Sequence, residues 1–163
     1  MGRWKPPPPK SSPYITQAGF DALKAEEKEL WLKRREVVKA LSAAAAEGDR
    51  SENAEYIYRK KELGGIDYRI RYLQKRLPNL TVVTDHPAGE KVFFGAWVTL
   101  EKADGGEVEY RIVGPDETDS ATGFISMDSP LAKVLLKKSI DDEVSLILAG
   151  ERIDYVILAI RYS

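Results

Sequence analysis

Four carboxylates lie within nine residues of this chain, at Glu47, Asp49, Glu52 and Glu55. Carboxylate oxygens are ligands that Mg²⁺ takes in proteins, and Mg²⁺ usually needs waters or substrate phosphates to complete its octahedral shell. Asp49 and Glu52 can therefore form half of a divalent-metal site. We expect this half-site to bind Mg²⁺ poorly alone and to become a site only against a second acidic, phosphate-containing centre.

The same two acids also have a purely structural interpretation. Asp49 and Glu52 have the spacing of a capping box, in which Asp49 is the N-cap and Glu52 the third residue of the following helix. Acids in the first turn also complement the helix dipole. The residues alone leave both roles open.

A long helix is predicted on each side of the acidic run. No proline occurs between Thr16 and Glu47, and Gly48 is suited to end the first helix. The second helix is predicted from Ser51 to Leu77, where Pro78 ends it. Apolar residues at heptad-like spacing define the two facing seams: Leu23, Leu30, Val37 and Ala44, then Leu63, Ile66, Ile70, Leu73 and Leu77.

Two long helices joined by a few residues must run antiparallel. At 1.5 Å per residue the hairpin would be roughly 40 to 45 Å long, so most of it should protrude and present its end. Gly64 and Gly65 lie inside the second helix and should cost about 1 kcal/mol each relative to Ala. They predict a local bend.

The carboxyl half changes to short β-like runs. Asp104-Gly105-Gly106 is a strong hairpin signal between two of them, and Ser129-Pro130 opens a short helix through about Lys138. The predicted class is α+β, with a small antiparallel sheet packed on one helix. The predicted strands are Leu80 to Val83, Val92 to Leu100, Val108 to Val113, Phe124 to Met127, Val144 to Leu148 and Tyr155 to Ile160.

Three segments follow from these patterns. Residues 1–13 are predicted to be a disordered proline-rich leader, 14–78 the hairpin with its acidic tip at 48–56, and 79–163 the sheet domain. A short proline run could also be an SH3-type ligand, but a solvated leader is the simpler interpretation.

Composition limits the classes of function. The chain has 163 residues, no Cys and a formal net charge of -1. Residues 1–78 carry +6 and residues 79–163 carry -7, so a basic half can approach polyanions and an acidic half suits a basic protein surface. Thiol chemistry and zinc-thiolate sites are excluded, and with no apolar run of 18 residues the expected location is the cytoplasm.

Several motifs in order resemble the Gre family of bacterial transcript cleavage factors. They are GDRSENAEY at 48–56, KVFFGAWV at 91–98, YRIVG at 110–114 and ISMDSPLAKVLLKK at 125–138. The likeness covers about residues 14–162. Arg50 and the FFGAW run make it more similar to the GreB type than to GreA.

The resemblance implies an accessory factor, not an enzyme. It implies a long coiled-coil hairpin with an FKBP-like carboxyl domain, acting as a monomer, away from membranes. The hairpin would enter the secondary channel of bacterial RNA polymerase and stimulate cleavage of backtracked RNA, rescuing arrested elongation complexes. The domain would dock on the largest subunit, and the nascent RNA 3′ end is the implied nucleic-acid partner.

The resemblance also assigns residues. Asp49 and Glu52 would assist catalysis and hold a Mg²⁺ shared with the polymerase, with Glu52 acting directly or through water. The remaining tip motif, the RNA-contacting basic patch and the docking motif match as follows: Gly48, Arg50, Ser51, Asn53, Glu55 and Tyr56; Arg59, Lys60, Lys61 and Arg69; Asp128, Ser129 and Pro130.

Some of these residues also have purely structural interpretations. The basic residues can be a solvated coiled-coil face with ordinary ion pairs, although the net charge of +6 favours a stripe that contacts phosphates. Ser129 and Pro130 can be a helix N-cap followed by Pro at the first helical position. Both interpretations can hold together.

Two other functions remain open. A regulator of the same fold could occupy the channel and modulate synthesis without cleavage, and an altered tip would favour it. A stand-alone prolyl isomerase or nuclease is the third hypothesis.

Overall fold

The structure is a computed structural model that describes residues 11–48, 53–87 and 90–162. It divides into two compact units: one holds the described residues up to Gln17 and those from Thr81 onward, and the other is Ala18–Leu80. The elements in chain order are β1 (Tyr14–Ile15), α1 (Gln17–Ala45), α2 (Ala54–Arg76), β2 (Thr81–Val82), β3 (Trp97–Lys102), β4 (Glu107–Val113), β5 (Phe124–Ser126), α3 (Pro130–Leu135), β6 (Glu143–Leu148) and β7 (Glu151–Arg161).

The helical unit is an antiparallel hairpin of α1 and α2. Val37 on α1 packs with Ile66 and Ile70 on α2, and Leu30 and Leu63 complete this cluster. Burying each such side chain contributes roughly 1.5 to 3 kcal/mol. The heptad spacing in the sequence correctly predicted which face of each helix is buried, because residues three and four apart lie on the same helix face.

Ion pairs beside the seam join the two helices. Arg34 Nε donates to Asp67 Oδ1 at 2.6 Å, and Arg69 donates to both carboxylate oxygens of Glu26 at 2.8 and 2.9 Å. A bidentate contact of this kind constrains the orientation of the two side chains and also adds to the interaction energy. These pairs set the register of the hairpin along its length.

Gly64 and Gly65 do not interrupt α2, which is one helix from Ala54 to Arg76. Ile66 and Ile70, directly after the glycines, are 5% and 3% exposed. Their burial against α1 outweighs the low helix propensity of two glycines, because tertiary packing routinely overrides propensity.

Replacing Gly64 or Gly65 with Ala is expected to stabilise the hairpin by about 1 kcal/mol per site. Neither residue has a positive φ, and nothing lies within 4 Å of an added Cβ, so the gain in helix propensity meets no clash. Urea unfolding followed by helical circular dichroism checks this. Gly48→Ala is the matched control and should destabilise, because Gly48 has a φ of +128°; lower stability in both helix variants would contradict the prediction.

The second unit is built on a five-stranded sheet in the order β5-β4-β3-β7-β6. One face carries the core, and α3 contributes to it; the fully buried members include Val98, Leu100, Ile112, Leu135 and Ile157. Alternation along β3 puts Val98 and Leu100 on this face. The α+β class with a long amino-terminal hairpin is therefore confirmed.

The sheet is mixed, whereas the sequence predicted an antiparallel one. β4 pairs with β5 in parallel, since the connection between them is long enough to return the chain to the same end. β3 begins at Trp97 instead of Val92, because Gly95 has a φ of +87° and interrupts the extended run. α3 ends at Leu135 instead of Lys138, and Lys137 has a positive φ of 70°.

The segment before α1 belongs to the sheet unit, although the sequence placed it with the hairpin. β1 pairs in parallel with β2, and the amides of Thr81 and Val83 donate to the carbonyls of Pro13 and Ile15 at 2.7 and 2.9 Å. We call residues 11–16 the amino-terminal strap. Their hydrogen bonds are non-local, so no local sequence pattern indicates them.

Glu117 fastens this strap to the sheet unit. Its carboxylate accepts hydrogen bonds from the amides of Thr16 at 2.9 Å and Gly114 at 2.8 Å, and from the Thr16 hydroxyl. A carboxylate acceptor makes such bonds stronger than neutral ones.

In the described part of the chain no helix is long and apolar enough to cross a membrane.

Candidate functional site

The end of the hairpin is where the sequence predicts chemistry. α1 ends at Ala45, and the amide of Glu47 still donates to the Ala44 carbonyl at 3.2 Å. Gly48 follows with a φ of +128° and open space beside it. Four of the predicted tip residues, Asp49, Arg50, Ser51 and Glu52, lie outside the described residues.

Asn53 closes the hairpin where the chain is described again. Its side-chain oxygen accepts from the Tyr56 amide at 3.0 Å, which makes it the N-cap of α2. Its side-chain nitrogen donates to the Ala44 carbonyl in the last turn of α1 at 2.7 Å. One side-chain amide thus serves the Tyr56 amide at the start of α2 and shares the Ala44 carbonyl at the end of α1 with the Glu47 amide.

This geometry corrects two predictions. The second helix begins at Ala54 and not at Ser51, and its N-cap is Asn53 instead of Asp49. Tyr56, and not Glu52, is the third residue of α2. The capping interpretation of the acidic pair is therefore wrong for this helix.

Asn53→Ala is expected to destabilise the hairpin by about 1 to 2 kcal/mol, the usual cost of losing an N-cap. The variant also removes the Asn53 side-chain donor from the Ala44 carbonyl, which then keeps the Glu47 amide. Hydrogen exchange of the Tyr56 amide should accelerate, while that of Ile70 in the middle of α2 should change less. Asn53→Asp is the control, because it keeps the cap but removes the side-chain donor to the Ala44 carbonyl. An equal loss of stability in both variants would assign the whole effect to the bond with Ala44 and contradict the capping role.

Glu55 and Tyr56 have local partners. Glu55 accepts from Arg59 Nε at 2.8 Å, four residues along the helix. Tyr56 is half-buried, and its amide is the one that Asn53 caps. Among the described residues there is no group of three or more His, Cys, Asp or Glu side chains placed to hold a metal.

The predicted basic patch divides into two kinds of residue. Arg59 binds both Glu55 and Glu62, and these hydrogen bonds raise the pKa of the Arg59 guanidinium. Arg69 is held by Glu26 across the hairpin. Lys60 and Lys61 are exposed and make no ion pair within the described part of the chain.

The predicted docking motif lies at the start of α3. The Ser129 hydroxyl accepts from the Ala132 amide at 3.2 Å, so Ser129 is the N-cap and Pro130 the first helical residue. The structure thus confirms the helix-capping interpretation of this pair. Ser129 supplies this cap, and the side chain of Asp128 makes a separate contact.

Asp128 binds the amino-terminal strap. Its carboxylate accepts from the Ser12 amide at 2.9 Å and from the Ser12 hydroxyl. Sequence reasoning missed Ser12, because the two residues are 116 positions apart. The predicted docking motif is therefore held in place from both sides, by the helix cap and by the strap.

Two family models together match nearly the whole chain. The model described as "Transcription elongation factor, N-terminal" matches residues 13–82, and "Transcription elongation factor, GreA/GreB, C-term" matches residues 86–162.

Individual proteins with the same description are close in sequence. "Transcription elongation factor GreB" of Xanthomonas axonopodis pv. citri is 57% identical and covers 100% of this chain and 99% of its own. The protein of that name from Pseudomonas aeruginosa is 53% identical, over 96% and 95%. A crystal structure of Thermus aquaticus Gfh1 is 25% identical with a TM-score of 0.43, covering 93% of this chain and 99% of that one.

Proposed function

Because this chain belongs to the GreB type of the GreA/GreB family of transcription elongation factors, we propose that it stimulates the cleavage of backtracked RNA by bacterial RNA polymerase. The factor is an accessory protein, and the polymerase supplies the catalytic centre. The hairpin enters the secondary channel of the polymerase and carries Asp49 and Glu52 to that centre. Cleavage then frees an arrested complex to resume elongation.

The single observation that carries this proposal is the contact made by Asn53. Asn53 caps α2 and binds the Ala44 carbonyl, so a residue other than Asp49 serves as the N-cap of this helix. We accordingly assign the acidic pair to the catalytic centre. α1 has 29 residues, which at 1.5 Å each gives a helix of about 43 Å that can reach into a deep channel.

The donor chemistry of the tip fits Mg²⁺. Asp49 and Glu52 offer hard carboxylate oxygens, whereas Glu55 is engaged by Arg59. Mg²⁺ binds through one or two carboxylates when phosphates and water complete its shell. When bound, the ion supplies a Lewis acid and lowers the pKa of a bound water.

Asp49 and Glu52 act differently in this proposal. Asp49 would hold the shared ion. Glu52 would hold the same ion or accept a hydrogen bond from the attacking water and orient it. Neither acid binds the ion tightly before the polymerase contributes its own ligands, because two carboxylates leave most of the octahedral shell to water.

Lys60 and Lys61 are the patch residues best placed to contact RNA phosphates. Both are exposed without an ion-pair partner in the described residues, whereas Arg59 and Arg69 would first have to leave Glu62 and Glu26. Contacts to phosphates are independent of sequence and weaken with salt. This property suits a factor that acts on any backtracked transcript.

Docking on the largest subunit of the polymerase involves Asp128, Ser129 and Pro130. The acidic carboxyl half, with a net charge of -7, favours a basic protein surface. Ser12 keeps the Asp128 carboxylate oriented, so the strap positions the docking motif before the polymerase is met.

The test is to add the purified chain to polymerase stalled on backtracked RNA in the presence of Mg²⁺. Short RNA fragments carrying the 3′ end should be released, and the shortened transcript should resume elongation. Binding with an unchanged transcript would favour a channel-occupying regulator instead. Hydrolysis of RNA by the chain without polymerase would make it a nuclease.

A further inference from the structure

The face of the sheet opposite its core carries a row of aromatic and arginine side chains. Each of them is next in sequence to a residue that is buried in the core or packed against it, so the pleat turns it to the other face. Strand pairing places them side by side, because Trp97 pairs with both Arg111 and Arg161, and Arg111 pairs with Phe124. We call Trp97, Arg111, Phe124 and Arg161 the aromatic-arginine cluster.

Arg111 is oriented by its neighbours in this cluster. Its guanidinium carbon lies 5.8 Å from the centre of the Trp97 ring and 5.7 Å from that of the Phe124 ring, within the range of cation–π attraction. Its Nε donates to the Gly95 carbonyl at 3.1 Å. The guanidinium therefore has a fixed position before any partner binds.

Arg111 differs from the two other arginines on the strands of the sheet, because both of those are paired with acids. Arg161 donates to Glu109 at 2.7 Å, and Arg152 donates to Asp154 at 2.9 Å. Arg111 has no carboxylate partner within the described residues, where the Gly95 carbonyl takes its Nε donor alone. Because Arg111 is half-buried, its charge has lost part of its hydration without gaining an opposite charge.

The aromatic-arginine cluster is continuous with the predicted docking motif at residues 128–130. A cleft of about 670 Å³ at the edge strand β5 is lined by Phe124 and Ser126 and also by Ser129. The Ser126 hydroxyl accepts from the Asp128 amide at 3.0 Å. A protein that contacts Ser129 and fills this cleft therefore reaches Phe124, and Arg111 lies directly beside that ring.

We propose that Arg111 is a second docking contact, which binds a carboxylate side chain of the polymerase subunit on which residues 128–130 dock. The inference rests on the proposed function and deepens it, because it names a charge that the partner must carry. A guanidinium stacked on aromatic rings can still bind a carboxylate through two parallel hydrogen bonds. Its fixed position lowers the conformational entropy that binding would otherwise cost.

A single carboxylate fits this cluster better than the phosphates of a nucleic acid. Residues 79–163 carry a net charge of -7, and Glu109 lies on the same face of the sheet, two residues before Arg111. A chain of phosphates would meet these acids, whereas one carboxylate meets Arg111. Since a basic partner surface suits the rest of this half, an acid placed opposite Arg111 would fix the orientation of docking.

The experiment measures the dissociation constant of the full chain for RNA polymerase without nucleic acid, at low and at high salt. Arg111→Ala should weaken binding about tenfold at low salt and less at high salt, because salt screens the charge pair. Arg111→Lys keeps the charge but loses the stacking and the bidentate geometry, so it should weaken binding about threefold. Arg152→Ala is the matched control, since this arginine is already paired on the same sheet, and it should stay within about twofold.

The chemical nature of the partner group is tested with the amine that Arg111→Lys introduces. A carbodiimide joins an amine to a carboxylate in contact with it, so mass spectrometry should find position 111 linked to an Asp or Glu of the polymerase. Hydrogen exchange of the Ile112 amide, which donates to Ala96 at 3.0 Å, verifies that the sheet is intact in each variant. A complex that forms without a cross-link at position 111 would contradict the assignment.

Three affinity results would overturn the inference. These are equal affinity of Arg111→Ala and the unaltered chain, an equal loss in Arg152→Ala, and a loss that appears only when RNA or DNA is bound to the polymerase. The last would assign Arg111 to a nucleic-acid contact. If Arg111→Ala loses protection at Ile112, Arg111→Lys decides, and an affinity equal to that of the unaltered chain then counts against the proposal. If the unaltered chain does not bind polymerase, the proposed function itself fails, so the two failures are distinguishable.

Discussion

Asp49→Asn should leave the fold and polymerase binding intact while most of the cleavage stimulation is lost. The amide keeps the size and hydrogen-bonding capacity of the carboxylate but removes the charge that a Mg²⁺ ligand needs. Loss of a metal ligand typically costs orders of magnitude in rate, and we expect at least about a hundredfold here. Single-turnover cleavage of a backtracked complex at saturating factor measures the effect.

The controls for Asp49→Asn depend on which residue is the N-cap of α2. Because Asn53 is the N-cap of α2, Asp49→Asn should not change urea unfolding of the hairpin, whereas Asn53→Ala should. Glu52→Gln should likewise preserve stability and reduce cleavage, by less if Glu52 acts through water. Unchanged cleavage by Asp49→Asn would return this acid to a structural role, and a melted hairpin would do the same.

Gly114→Ala is expected to have the largest effect on stability. A Cβ at Gly114 would lie 1.9 Å from the Tyr14 carbonyl oxygen, far inside van der Waals contact. The obstacle is backbone, so β1 must move away from Gly114. Crowding of this kind typically costs 1 to 3 kcal/mol, and we expect about 3 kcal/mol because no flexible side chain can yield.

Hydrogen exchange is the measurement for Gly114→Ala. The amides of Thr81 and Val83 donate to the strap and should exchange faster, while the Ile112 amide, which donates to Ala96 at 3.0 Å inside the sheet unit, should change less. Gly64→Ala is the same substitution in open space and should stabilise. Unaltered protection at Thr81 and Val83 would show that the strap accommodates the methyl group.

Local patterns predicted the elements of both units well. The seam residues Val37, Ile66 and Ile70 are buried as expected, because heptad spacing follows from helix geometry alone. Most β-like runs became strands with ends shifted by a few residues. The helix continues through Gly64 and Gly65, because packing on both sides of the pair outweighs their low helix propensity.

Contacts between distant residues could not be predicted from the sequence. Asp and Asn are equally good N-caps, and what selects Asn53 is the Ala44 carbonyl across the hairpin. The pairs Ser12 with Asp128 and Thr16 with Glu117 join residues more than 100 positions apart. Each depends on the finished fold, so the strap and its effect on the docking motif were missed.

The most direct test of the account is the structure of this chain bound to polymerase stalled on backtracked RNA, determined by electron cryomicroscopy with Mg²⁺ present. We predict that the hairpin lies in the secondary channel with a carboxylate oxygen of Asp49 about 2.0 to 2.1 Å from Mg²⁺ at the catalytic centre. A hairpin bound outside the channel, or an acidic pair remote from the metal, would contradict it.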